Sequence, residues 1–311
     1  FQPDVQYRGF SASPLLGLPQ GISVFVNGFR FNEPFGDTVN WDLLPMSAFD
    51  SVTLFSGSNP MFGYNTLGGA LALTVKRGFD FEKNLIRMNV GSFGARGVNI
   101  QSGGNDGTWG YYFNLNRYKE DGWRDGSPSD IKQYLANISY SGRRINADLL
   151  LANNDNTMVG NGAVPIELLE QQSPRAIYTQ PDQTNTAMKL AGLSIDAVLA
   201  DNITLSANAF IRENTVASIN GDDSDFMPCY FDAGVSLCEG DDDELSNESE
   251  PVSFVGYSAD TLFSQLSSLD PQDIDGTYNT GRSETRSHGI SLQLAMDWSD
   301  NNQLLIGASA S

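Results

Sequence analysis

The chain has 311 residues, with 38 Asp and Glu against 18 Lys and Arg, a formal net charge of −20 and a pI near 4.2. That balance argues against a nucleic-acid partner, because neutralising a phosphate backbone needs clustered Lys and Arg. No apolar run reaches the roughly 18 residues of a membrane-crossing helix, but crossing strands stay open, since they give only short alternating segments.

Residues 1–80 read as one unit. Short β-rich runs at 22–26, 52–55 and 70–75 alternate with Gly- and Pro-rich loops. Segment 29–43 (FRFNEPFGDTVNWDL) is long and irregular, and its aromatics argue against disorder. Segment 51–78 (SVTLFSGSNPMFGYNTLGGALALTVKRG) reads as strand, glycine-rich crossing, strand. Glycines at that density mark backbone that turns sharply or passes close to other backbone. It is no nucleotide cradle: Gly63 is followed by Tyr64 and Asn65 rather than Lys and Ser/Thr, and no GxGxxG lies between a strand and a helix.

From Asn84 the period becomes two. Trp109, Tyr111, Phe113 and Leu115 alternate with Gly110, Tyr112, Asn114 and Asn116. The same alternation recurs near 86–90, 98–100, 134–140, 145–151, 203–211 and 290–296. These are strands with one apolar and one mostly polar face. Tight turns are expected at 103–107, 142–144, 200–202 and 299–302, and long loops at 120–130, 155–185 and 215–283. Alternation alone suits a soluble sandwich as well; the lopsided loops favour an up-and-down membrane barrel.

Several motifs, in order, resemble TonB-dependent outer-membrane receptors. Tyr7-Arg8-Gly9-Phe10 resembles the family's Arg-Gly-aromatic motif, and VFVNG, ending in Asn27-Gly28, its apolar strand and Asp-Gly turn. Leu44-Pro45 precedes the final hairpin. There Gly57, Phe62-Gly63, Leu67-Gly68-Gly69 and Thr74-Val75-Lys76-Arg77 resemble the end of the plug. The family's acidic position is Thr53 here and its Arg position Phe55 with Ser56, so an ion-pair lock through those sites is not expected. The resemblance implies an all-β fold: a transmembrane antiparallel β-barrel, partial at about nine strands, with a mixed, glycine-rich plug inside it. Residues 1–80 are expected to be the C-terminal part of the plug, and 81–311 the start of the barrel. Plugged transporters have about 22 strands, so the chain is expected to be a fragment lacking its signal peptide, TonB box and later strands.

The implied function is import of a scarce ligand, most often a ferric siderophore in this family; another nutrient receptor or a passive pore are the alternatives. The implied partners are an iron chelate or other small molecule, the TonB energy-coupling complex and outer-membrane lipid, with no cofactor. Apical plug loops touch ligand in this family, which makes Phe35, Asp37, Tyr64 and Asn65 candidate contacts. Phe62 is expected to pack inside the plug instead. Trp123 and Arg124, in a long loop, could stack on a ligand. Cys229 and Cys238 are expected to form a local disulfide, since an outer-membrane protein passes through an oxidising periplasm; two unpaired thiols are the alternative. No metal site or catalytic constellation is read: the single histidine, His288, sits at a strand start. The 15 Asp and Glu between residues 215 and 283 lack the spacing of a Ca²⁺ loop and read as a solvated surface.

Overall fold

The computed structural model describes residues 2–58, 62–160, 162–223, 226–231, 234–239, 276–299 and 302–310. Phe1–Gly160, Gln183–Ala217 and Gly281–Ser311 form one compact unit; Asn161–Asp182 and Ser218–Thr280 form another.

The chain opens with a small hairpin of β1 (Val5–Tyr7) and β2 (Phe10–Ala12). A four-stranded sheet follows, built from β3 (Ile22–Val26), β4 (Phe29–Arg30), β5 (Phe49–Ser56) and β6 (Gly69–Val75) in the order β4-β3-β6-β5. β3 and β6 run parallel, and the outer pairs antiparallel. The two sequence motifs are the two hairpin turns. Arg8-Gly9 (φ 53° and 81°) joins β1 to β2, and Asn27-Gly28 (φ 46° and 85°) joins β3 to β4. Positive φ at both central residues matches the right-handed strand twist, hence the Asn-Gly pair. Asn27 also works through its side chain: its Oδ1 accepts from the Val75 N–H at 2.8 Å, holding the end of β6. Gly69 lies at φ 153°, where a Cβ would stand 2.4 Å from the Phe55 carbonyl oxygen, so the crossing into β6 requires glycine. Ile22, Val24, Val26, Leu73, Val75, Phe31, Val39 and Leu43 form the core of this domain.

The rest is one antiparallel meander. β7 (Asn84–Val90), β8 (Arg96–Asn105), β9 (Trp109–Glu120), β10 (Ser129–Ser141), β11 (Ile145–Val159), β12 (Asp182–Ala200) and β13 (Ile203–Asp223) follow in chain order. A separate two-stranded hairpin of β14 (Phe226–Phe231) and β15 (Gly234–Glu239) comes next, then β16 (Gly276–Ser299) and β17 (Asn302–Ala310). β7 to β13 with β16 and β17 make a nine-stranded sheet among the described residues, the number expected, although the period-two runs named only seven of these strands and left out β12 and β17.

Two loop expectations need correction. β13 runs on to Asp223 and β16 starts at Gly276, so 215–283 is not one loop. The 155–185 connection shrinks to 160–181 and carries a short helix, α1 (Ile166–Gln171). At 21 and 24 residues, β13 and β16 are about twice what crosses a bilayer. Their outer halves carry no apolar signal because a ladder of backbone hydrogen bonds needs no apolar side chain. Cys229 and Cys238 fall on β14 and β15, and their side chains lie outside the described residues, as does the acidic run at 241–244.

The face assignment separates barrel from sandwich. On β10, Gln133, Asn137 and Ser139 are buried, while Tyr134, Ile138 and Tyr140 point the other way and Ile138 is 43% exposed. β9 and β11 repeat this: Asn114, Asn154 and Asn156 are buried, and Trp109, Tyr111, Phe113, Leu149 and Leu151 exposed. The buried face also carries Tyr112, Ile131, Leu135 and Leu150, but a row of buried amides opposite an exposed apolar and aromatic face is the inverse of a water-soluble sheet, and suits lipid.

Candidate functional site

The N-terminal domain sits against the polar face of the sheet. Its contacts reach Asn99, Asn114, Gln133, Asn156, Thr186, Arg212 and Thr285, one on each of β8 to β13 and β16. Seven neighbouring strands would span roughly 29 Å if flat.

Three sets of bonds make the seam. In the first, the 3₁₀ turn Trp41–Leu43 docks on a ladder of amides. Asn154 donates to the Leu43 carbonyl, and Gln133 and Asn156 donate to that of Asp42. The Asp42 carboxylate is fully buried and accepts from Asn156, Thr186 and Gln2. All its described donors are neutral.

The second set surrounds Ser47 and Lys76. Asn99 and Asn114 both donate to Ser47 Oγ at 3.0 Å. Lys76 Nζ donates to the Ser47 carbonyl at 2.7 Å and to Gln101 Oε1 at 3.1 Å, where Tyr112 also donates. Desolvation, and then the nearby Arg87 charge, hold the Lys76 ammonium below its ordinary pKa. The motif lysine is thus a seam residue.

The third set is ionic. Arg212, on β13, is 2% exposed and donates to the carbonyls of Phe31 and Asn32. Its guanidinium lies 4.9 Å from the Phe31 ring centroid and 3.5 Å from Glu33 Oε1. Asn214 donates to the same Glu33 oxygen at 2.6 Å, and Thr285 to the other at 2.9 Å. Sequence reasoning missed Glu33, Asp42 and Arg212. The available signal was a charged residue in the inward register of an alternating strand, with Arg212 between Ile211 and Glu213.

Three of the predicted contact residues, Asp37, Tyr64 and Asn65, come together around one that was not predicted, Arg30. Arg30 donates to Asp37 Oδ1 at 2.8 Å, Ser23 Oγ at 2.9 Å and the Phe62 carbonyl at 3.3 Å, and its guanidinium lies 4.5 Å from the Tyr64 ring centroid. Asn65 donates to the second Asp37 oxygen at 2.5 Å. Asp37 (φ 53°) and Asn65 (φ 51°) are both held in the left-handed region. Both side chains are hydrogen-bonded within this clasp. Phe35 and Tyr64, 68% and 67% exposed, are the side chains it displays. Phe62 packs between Phe25 and Phe55, at 5.6 and 5.1 Å between ring centroids, as expected. Gly63 lies beside Arg30, and the Gly57 and Gly68 amides bond to the carbonyls of Gly68 and Gly21. Trp123 and Arg124 lie apart from this cluster in sequence, in the β9–β10 loop, stacked on each other at 5.1 Å.

Among the described residues no cluster of His, Cys, Asp or Glu could hold a metal, and no helix is long and apolar enough to cross a membrane, which says nothing of strands.

Residues 1–70 match the family model described as TonB-dependent Receptor Plug Domain. Three solved structures share the fold. The open form of the ferric-catecholate import receptor Fiu from E. coli K12 is 12% identical, with a TM-score of 0.66 over 99% of this chain and 44% of its own. The siderophore receptor PiuA from Acinetobacter baumannii is 11% identical, with a TM-score of 0.62 over 99% and 40%. The copper transporter OprC is 13% identical, with a TM-score of 0.57 over 99% and 40%. The chain therefore spans less than half the length of these proteins. No curated protein matches it.

Proposed function

With residues 1–70 a TonB-dependent receptor plug domain on a β-barrel sheet, we propose that the complete protein is an energy-coupled outer-membrane receptor importing an iron chelate. Residues 1–80 are the plug part and 81–311 the first part of the barrel. One observation supports this reading: the plug is bonded to seven strands of the sheet, and in a completed barrel a domain held that way would stand in the path of free diffusion. A passive pore gains nothing from such a domain. A receptor for a ligand at trace concentration does, because binding and an external energy source then replace a gradient too small to drive flux. Energy comes from the TonB complex, and the barrel's outward apolar face lies in lipid.

Phe35 and Tyr64 are the ligand-facing side chains, carried on the Arg30–Asp37–Asn65 clasp. Iron chelates are supported over other nutrients by the names of two of the three similar structures, while OprC keeps copper as the second reading. The test is growth of a deletion strain on a panel of ferric catecholates, ferric hydroxamates, ferric citrate and copper salts. Loss of growth on one ferric chelate, restored by the full-length protein and not by a Phe35→Ala/Tyr64→Ala variant, is the expected result. Loss confined to copper would move the assignment to the second reading.

A further inference from the structure

The outward apolar band stops short of one end of the sheet. On β9 the run Trp109, Tyr111, Phe113, Leu115 continues in the same period as Arg117 and Lys119. The register sets further charges beside these two. Lys119 stands opposite Arg96 on β8 and Asp130 on β10. Arg117 stands opposite Val98 and Lys132, with Asp155 next to Lys132 on β11. Asp130 lies 2.5 Å from Arg117 and 2.8 Å from Lys119, and Asp155 lies 3.9 Å from Lys132. Arg96, exposed, takes part in none of these pairs. Four cations against two carboxylates leave a positive surplus on this outward patch, in a chain whose net charge is −20.

An apolar lane runs beside the cations. On β7, Val90 stands opposite Arg96 and Met88 opposite Val98, and the two are 89% and 78% exposed. The turn after β7 adds Phe93, half exposed and held at φ 57°, a conformation that is costly for a bulky side chain. The Asp121 N–H donates to the Phe93 carbonyl at 2.9 Å and ties this turn to the end of β9. A lane of this kind ending in cations fits an amphiphile lying along the strand, with its acyl chain on β7 and its anionic head on Arg96 and Lys119. Arg and Lys suit that place, since their stems cover apolar surface while their charged ends reach the headgroup layer. An adjoining hollow of about 370 Å³ is lined by Glu120, Asp121 and Asp130 besides Arg96 and Lys119, and its three carboxylates make it no seat for an anion.

We propose that this patch holds a phosphate-bearing lipid of the membrane leaflet at the β9–β10 loop end of the sheet. It rests on the reading of the outward face as lipid-facing, and not on transport. In the test, the full-length protein is purified in detergent and titrated by native mass spectrometry. The probes are dioctanoyl phosphatidic acid, dioctanoyl phosphatidylcholine and inorganic phosphate. The first phosphatidic acid is expected to bind about tenfold more tightly than phosphatidylcholine, and Arg96→Gln/Lys119→Gln to bring the two within about twofold. Neither residue takes part in the seam bonds. Arg143→Gln/Arg144→Gln, two exposed positions in the tight turn at the other end, is expected to keep the full preference. Equal affinity for the two lipids, a preference that survives Arg96→Gln/Lys119→Gln, or one lost equally in Arg143→Gln/Arg144→Gln each overturn the proposal. Displacement of phosphatidic acid by inorganic phosphate at equal concentration overturns it too, since the patch would then be a simple anion site. Because no uptake is measured, failure here leaves energy-coupled import untouched, and failure of import leaves this result standing.

Discussion

Replacing Glu33 by Ala in the full-length protein is expected to loosen the plug by about 3–5 kcal/mol, the cost of leaving a buried charge without its partner. Arg212 has a side chain 1% exposed, and Glu33 is the anion at its guanidinium. The carbonyls of Phe31 and Asn32 still accept from it in the variant, but carbonyl dipoles do not cancel a full charge. Asn214 and Thr285 lose their acceptor at the same time. The measurement is the urea concentration at which residues 1–80 become cleavable by protease while the barrel stays intact. A midpoint well below that of the wild type is expected. Adding Arg212→Met should recover most of the loss, because removing both charges is cheap where removing one is not. A single Glu33→Ala variant with an unchanged midpoint would show that the ionic contact does not hold the plug.

Arg30→Ala is the second large effect. Arg30 bonds to Asp37, Ser23 and the Phe62 carbonyl and stacks on Tyr64, so one substitution unties two loops from each other and from β3. Asp37, with its side chain 13% exposed, is left to Asn65 alone. A hydrogen bond to a charged group contributes about 1.5–3 kcal/mol, and strained left-handed residues persist only while their surroundings hold them. The apical loops should become protease-sensitive while the barrel remains folded. Affinity for the chelate found in the growth panel should fall by about tenfold to a hundredfold. Arg30→Lys keeps the charge but not the planar fork, and should recover only part of it. Unchanged affinity in Arg30→Ala would mean that ligand does not bind on this clasp. By the same logic Asp37→Ala perturbs the scaffold, and Phe35 and Tyr64 are the positions that probe contact itself.

Much of the architecture was legible because it rests on local rules. Arg8-Gly9 and Asn27-Gly28 are turns since both positions need positive φ, and glycine tolerates it best. Gly69 is fixed by the Phe55 carbonyl behind it. The strands from Asn84 onward follow from period two. Which face meets lipid was not legible: alternation says which residues share a side, not what lies on it. Nor was the seam. Asn214 and Glu33 are 181 positions apart, and nothing local to either announces the other. The bonds that join Asp37 and Asn65 were not legible, because the residue that organises them, Arg30, lies on β4 and looks like any strand-end cation in the sequence. The outer halves of β13 and β16 were missed because polar strands carry no hydrophobic period.

Uptake of the panel's radiolabelled chelate in whole cells, with and without the TonB partner, tests the central claim most directly. The full-length protein should bind the chelate at the cell surface in both strains and accumulate it only where the partner is present, falling to background when it is deleted. Accumulation that continues unchanged without the partner would contradict the account and make the barrel a passive pore.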